Sequence, residues 1–185
     1  LTEQQVNEQD LLRQAKAGNL SAFESLVVKH SPGLYSFIYR LVNNQTDAEE
    51  LTQQTWVKAW QNISRFQERS SFKTWLFRIG INLTLNYKTR RRPVEKLAES
   101  MTIESKHLPE EEYLRKRRQE LVRCVLQELT AEQRTALILS VYEQLSYKEI
   151  AQIMGKSVRA VDSLLVRAKA KLHELLLPAK KRGLI

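Results

Sequence analysis

The chain has 185 residues, of which 42% are hydrophobic and 28% charged, the balance of a folded globular protein rather than a disordered one. Its formal net charge is +9, so a polyanionic partner is the first class to consider. Apolar runs are short, because Ser140 interrupts Leu137 to Val141 and Arg78 lies within Leu76 to Leu85, and none approaches the roughly 18 apolar residues of a membrane span.

The first residues, Leu1-Thr2-Glu3-Gln4-Gln5, are polar and acidic and lack the basic start and apolar core of a secretory signal, so a cytoplasmic location is expected. Helix signals dominate the whole chain. No run of β-branched residues alternates with polar ones between turn residues, so the fold is expected to be all-α. Capping boxes, in which a hydroxyl and a carboxylate or amide three residues later satisfy reciprocal backbone donors, mark four helix starts: Ser21 with Glu24, Thr46 with Glu49, Thr130 with Gln133 and Ser146 with Glu149.

The helix opened by Thr46 runs through Trp60 and is amphipathic. Leu51, Thr55, Trp56 and Trp60 are expected to bury, while Asp47, Glu50, Gln53 and Gln54 face outward. Acidic residues in its first turn suit the helix dipole. From Phe66 onward aromatics and cations interleave, through Phe72, Lys73, Trp75, Phe77, Arg78 and Asn82 to the run Tyr87-Lys88-Thr89-Arg90-Arg91-Arg92. Rings that stack on unpaired bases and cations that track the backbone suit single-stranded nucleic acid better than intact duplex. Pro93 to Pro109 is polar and lacks periodicity, so residues 93–109 read as a flexible linker, and Pro109-Glu110-Glu111-Glu112 reads as the first turn of the next helix. Two small helical domains, 5–92 and 110–178, are expected on either side.

In the second domain the sole cysteine, Cys124, lies among Val122, Val125 and Leu126 and is expected to be a buried, inert thiol. Ser146 to Met154 reads as a short capped helix with Ile150, Ile153 and Met154 on one face. Gly155 suits the left-handed end of that helix, and Ser157 suits the cap of the next. The result is a helix-turn-helix, with Ala151 small enough for a close crossing. In its second helix Val158, Val161, Leu164, Leu165, Ala168 and Leu172 form an apolar stripe, whereas Arg159, Ser163 and Arg167 recur every four residues on another face. That face suits a major groove, and Lys156 and the backbone at Ser157 suit a phosphate.

Charge is segregated along the chain. Residues 61–92 carry eight basic and one acidic side chains, and residues 151–185 carry eight and two, while the remaining segments are close to neutral. A polyanion contacted at two places requires this, because each neutralised phosphate releases counterions.

The order Asp47-x-Glu49-Glu50-Leu51-x-Gln53-x-x-Trp56, then Phe72-x-Thr74-Trp75-Leu76-x-x-Ile79-x-x-Asn82, then a linker and a terminal helix-turn-helix, resembles the extracytoplasmic-function sigma factors of RNA polymerase. The resemblance implies sigma region two in the first domain and region four in the second. It implies docking on core RNA polymerase by Asp47, Glu50 and Gln53. It further implies opening of a −10 element by the loop from Ile63 to Ser71 and the helix after it, with Phe66 and Asn82 holding an extruded base and Lys73 and Arg78 in support, and reading of a duplex −35 element by Arg159, Ser163 and Arg167. Members of the family commonly pair with an anti-sigma protein, which the resemblance makes a further expected partner. The chain departs from the family pattern at Gln54, where many members have Glu, and at Asp162 and Leu164, positions that are often basic.

A helix-turn-helix regulator acting without polymerase would share the last 40 or so residues. It would leave the aromatic and basic segment at 66–92 unexplained. An enzyme on nucleic acid or nucleotide would need a phosphate loop or metal ligands, but the five glycines are dispersed, and His30, His107 and His173 lack companions at metal spacing. No catalytic residue, metal or cofactor is expected.

Overall fold

The computed structural model describes residues 7–90 and 110–181, and all regular structure among them is helical. In chain order the helices are α1 (Glu8–Lys16), α2 (Leu20–Val42), α3 (Gln45–Asn62), a 3-10 turn (Ile63–Arg65), α4 (Phe72–Arg90), α5 (Glu110–Gln127), α6 (Ala131–Val141), α7 (Tyr147–Met154) and α8 (Val158–Lys181). The linker expected at 93–109, and Arg91 and Arg92 with it, lie outside the described residues.

Local chemistry sets the helix ends. The boxes at Thr130 with Gln133 and Ser146 with Glu149 are both closed, side chain to backbone in each direction. At the other two starts the caps are asparagines lying one residue before the helix. Asn19 Oδ1 accepts from Ala22 N at 3.2 Å and Asn44 Oδ1 from Asp47 N at 2.9 Å, so Ser21 and Thr46 sit inside the first turn instead of capping it. Asn43, at φ 57°, closes α2 in the left-handed conformation that asparagine tolerates better than most residues. Two consecutive asparagines thus end one helix and start the next.

The aliphatic and aromatic faces of α2, α3 and α4 converge on Leu34, Phe37, Ile38, Leu51, Phe72, Leu76 and Phe77, all nearly inaccessible. Gly80 lets α4 cross closely, since a Cβ there would meet Leu34 Cδ1 at 3.3 Å and Thr55 Oγ1 at 3.5 Å. In the second half, α6, α7 and α8 bury Leu137, Ile138, Ile150, Ile153, Val161 and Leu165. Val158 departs from the expected stripe: it is the first residue of α8 and 48% exposed, and the stripe's packing begins one turn later at Val161. Cys124 is exposed, against expectation, because α5 buries Val125 and Leu126 and so turns position 124 outward.

The two halves pack together, α4 on α7 and α2 on α6. Arg134 of α6 is buried at this seam. Its guanidinium donates to Leu126 O (2.8 Å) and Gln127 O (2.8 Å) at the end of α5, to Leu129 O (3.1 Å) in the turn after it, and to Leu41 O (3.2 Å) near the end of α2. A cation thereby satisfies carbonyls that two helix ends leave open, and burial pulls its pKa below the usual arginine value despite the opposing field of Glu128.

Candidate nucleic-acid interface

Helix α8 begins where Gly155, at φ 63°, ends α7 and Ser157 Oγ accepts from Ala160 N at 3.2 Å. Its buried residues Val161, Leu164, Leu165 and Ala168 turn Arg159, Ser163 and Arg167 to solvent on one face. Arg167 Nε donates to Ser163 O at 3.1 Å, which fixes the base of its side chain while the guanidinium stays exposed. Leu164 is 7% exposed and belongs to the core, so its departure from a basic residue does not alter this face. Lys156 is half-buried, with Nζ 2.8 Å from Glu132 Oε1. It stands beside the reading helix already holding a carboxylate.

The N-terminal half offers a groove in place of a convex face. Lys58 and Asn62 from the last turns of α3, Arg65 from the 3-10 turn, and Trp75, Ile79, Asn82, Leu83 and Asn86 from α4 line a volume of about 390 Å³. Asn62 Nδ2 donates to Lys58 O at 2.8 Å. Asn82 and Arg78 are exposed, while the Trp75 ring is half-buried at the wall. Phe66 lies elsewhere. It is 4% exposed, with its ring centroid 5.0 Å from Trp75 and 6.0 Å from Phe72, so the structure places it as support for the groove wall. The loop that follows it is tied to α1 by Lys16 Nζ and Glu68 Oε1 at 2.7 Å, with Glu68 at φ 56°. Lys73 does not reach the groove residues either, because its Nζ lies 2.9 Å from Glu143 Oε2 across the seam.

Lys58, Asn62, Ile79 and Asn86 line the groove without having been singled out from the sequence, whereas Arg65 falls in the loop expected to face the −10 element. The usable signal was the helical period, since Trp75, Ile79, Asn82 and Asn86 fall on one face at spacings of three and four.

On α3, Glu50 and Gln53 are exposed, and Glu50 Oε1 accepts from Gln54 Nε2 at 2.9 Å. Asp47 is half-buried and accepts from Tyr87 Oη at 2.7 Å, which ties the first turn of α3 to the end of α4. Among the described residues no group of three or more His, Cys, Asp or Glu could hold a metal ion, and no helix is long and apolar enough to cross a membrane.

The family models for Sigma-70 region 2 and Sigma-70 region 4 match residues 26–94 and 119–172. RNA polymerase sigma-H factor of Pseudomonas aeruginosa is 32% identical over 189 residues, covering 96% of this chain and 97% of that protein. The extracytoplasmic-function sigma-E factor of Haemophilus influenzae is 31% identical over 187 residues, covering 95% and 98%. Among solved structures, CnrH in complex with the cytosolic domain of CnrY superposes with a TM-score of 0.70 at 30% identity, covering 91% of this chain and 96% of that one. The sigma factor RpoE of Bartonella quintana, solved with the anti-sigma factor NepR, gives 0.66 at 26% identity, covering 85% and 98%. With both region models matched and these relatives aligned over nearly their full length, the chain belongs to the extracytoplasmic-function sigma factors of RNA polymerase.

Proposed function

We propose that this sigma factor divides promoter recognition between two surfaces, with α8 reading the −35 element as duplex and the α3–α4 groove holding the −10 element as a separated strand. The observation that carries this reading is the difference in shape and chemistry between them. A convex helix face bearing Arg159, Ser163 and Arg167 suits base edges in a major groove. A concave groove with a tryptophan wall, amides at Asn62 and Asn82, and cations at Lys58 and Arg65 suits an unstacked base and its phosphates. Arg78 on the same helix extends the basic track, and Phe66 acts by holding Trp75 in place. Lys156 and the start of α8 at Ser157 supply phosphate contacts beside the reading face.

Docking on core RNA polymerase falls to Asp47, Glu50 and Gln53, on the first turns of α3. The functional division is 5–92 for polymerase and −10 binding, 93–109 for the linker and 110–178 for −35 binding. The structural relatives CnrH and RpoE were each solved with a second protein, in RpoE an anti-sigma factor. An anti-sigma partner for this chain, and action in the cytoplasm, complete the reading.

The test is run-off transcription from a fixed promoter with core polymerase, with and without the chain, together with co-purification on core. Promoter-specific transcripts that depend on the chain, and retention on core, are expected. Stable binding to the same promoter without core, with no added transcription, would identify a polymerase-independent regulator instead.

A further inference from the structure

On α8, at about 100° per residue, Asp162, Val166 and Arg159 project within roughly 60° of arc. Val166 is 59% exposed at the centre of this polar face. Asp162 is exposed, and its carboxylate makes no hydrogen bond or ion pair among the described residues. Helix propensity does not favour the valine, which is a poorer helix former than the lysines and arginines around it, and an unpaired carboxylate repels the phosphates that the arginines attract. Base edges explain both: an apolar side chain packs on the thymine methyl, and a carboxylate accepts from cytosine N4. We propose that Val166 and Asp162 are specificity-determining residues of −35 reading, taking a thymine methyl and a cytosine amino group beside the base bound by Arg159.

This inference rests on duplex reading by α8, so Arg159→Ala serves as the control. Holoenzyme reconstituted with core polymerase would be used to select from promoters randomised across the −35 element, and binding would then be measured with deoxyuridine replacing each preferred thymine. The parent is expected to prefer thymine over deoxyuridine about three- to tenfold at one position, and Val166→Ala to lose that preference. Asp162→Asn is expected to exchange a cytosine preference for adenine, the base an amide recognises. If Arg159→Ala changes the selected sequence but neither other variant does, the inference is overturned and −35 reading stands. If all three leave it unchanged, −35 reading by α8 fails as well. A uniform rise in affinity for every sequence with Asp162→Asn would mean that the carboxylate only repels phosphate, which also overturns its assignment.

Discussion

The face of α8 is carried by a single helix, so periodicity alone brings Arg159, Ser163 and Arg167 together. The groove of the N-terminal half needs two helices and a turn, joining Lys58, Asn62 and Arg65 to Asn82 and Asn86, which lie far away in sequence. A convex site therefore stands in the sequence as a spacing, while a concave one exists only once packing has decided which aromatics become wall and which become core. Phe66 shows the consequence, since composition alone makes it as good a base-stacking residue as Trp75.

That contrast is broken most directly at Phe66. Phe66→Ala should lower stability to chemical denaturation by about 3–5 kcal/mol, as for a buried ring lost from a core. Parental stability combined with defective promoter opening would return the ring to the strand-binding surface. On the convex side, Arg159→Ala should cost about 1–3 kcal/mol of discrimination among −35 sequences, with thermal stability unchanged because the side chain is exposed. A uniform loss of affinity for every sequence would make this arginine a phosphate contact.

A smaller effect separates the halves by pH. His30 on α2 packs its ring 5.4 Å from Phe72, and burial lowers its pKa, against the pull of Glu8 with Oε2 3.3 Å from Nε2. The unfolded chain takes up a proton near the ordinary value of 6.5 before the folded one does. Stability from this site is therefore complete above pH 6.5 and lost as pH falls toward the lower folded value. Urea midpoints followed across that window should show the slope in the parent and not in His30→Gln. In the C-terminal half the corresponding group is Glu149, whose carboxyl is held below its usual 4.5 by hydrogen bonds from the Ser146 side chain and backbone. Its contribution is present above pH 4.5 and lost below it. Ser146→Ala should remove about 1 kcal/mol at neutral pH and flatten the acid slope.

Sequence and structure agree where the determinants are local. The helical content, the closed boxes at Thr130 and Ser146, the turn at Gly155 and the cap at Ser157 each depend on residues within a few positions of one another. The caps at Asn19 and Asn44 were missed because a serine or threonine two places further on offered a competing pattern. Arg134 was beyond reach of local reasoning, since its acceptors come from the ends of α2 and α5 and from the turn after α5. Lys73 was placed by composition in the strand-binding segment, but the packing of α4 on α7 gives it Glu143 as a partner.

The central claim, two surfaces for two forms of DNA, is tested most directly by permanganate footprinting of unpaired thymines in Asn82→Ala and Arg159→Ala holoenzymes, on intact duplex and on a pre-melted promoter. Unstacking a base costs a few kcal/mol that the groove must offset. The account predicts that Asn82→Ala forms the closed complex normally, opens duplex poorly and is partly rescued by the pre-melted template, while Arg159→Ala is impaired before opening and gains little from it. Equal impairment of both variants on both templates would contradict it.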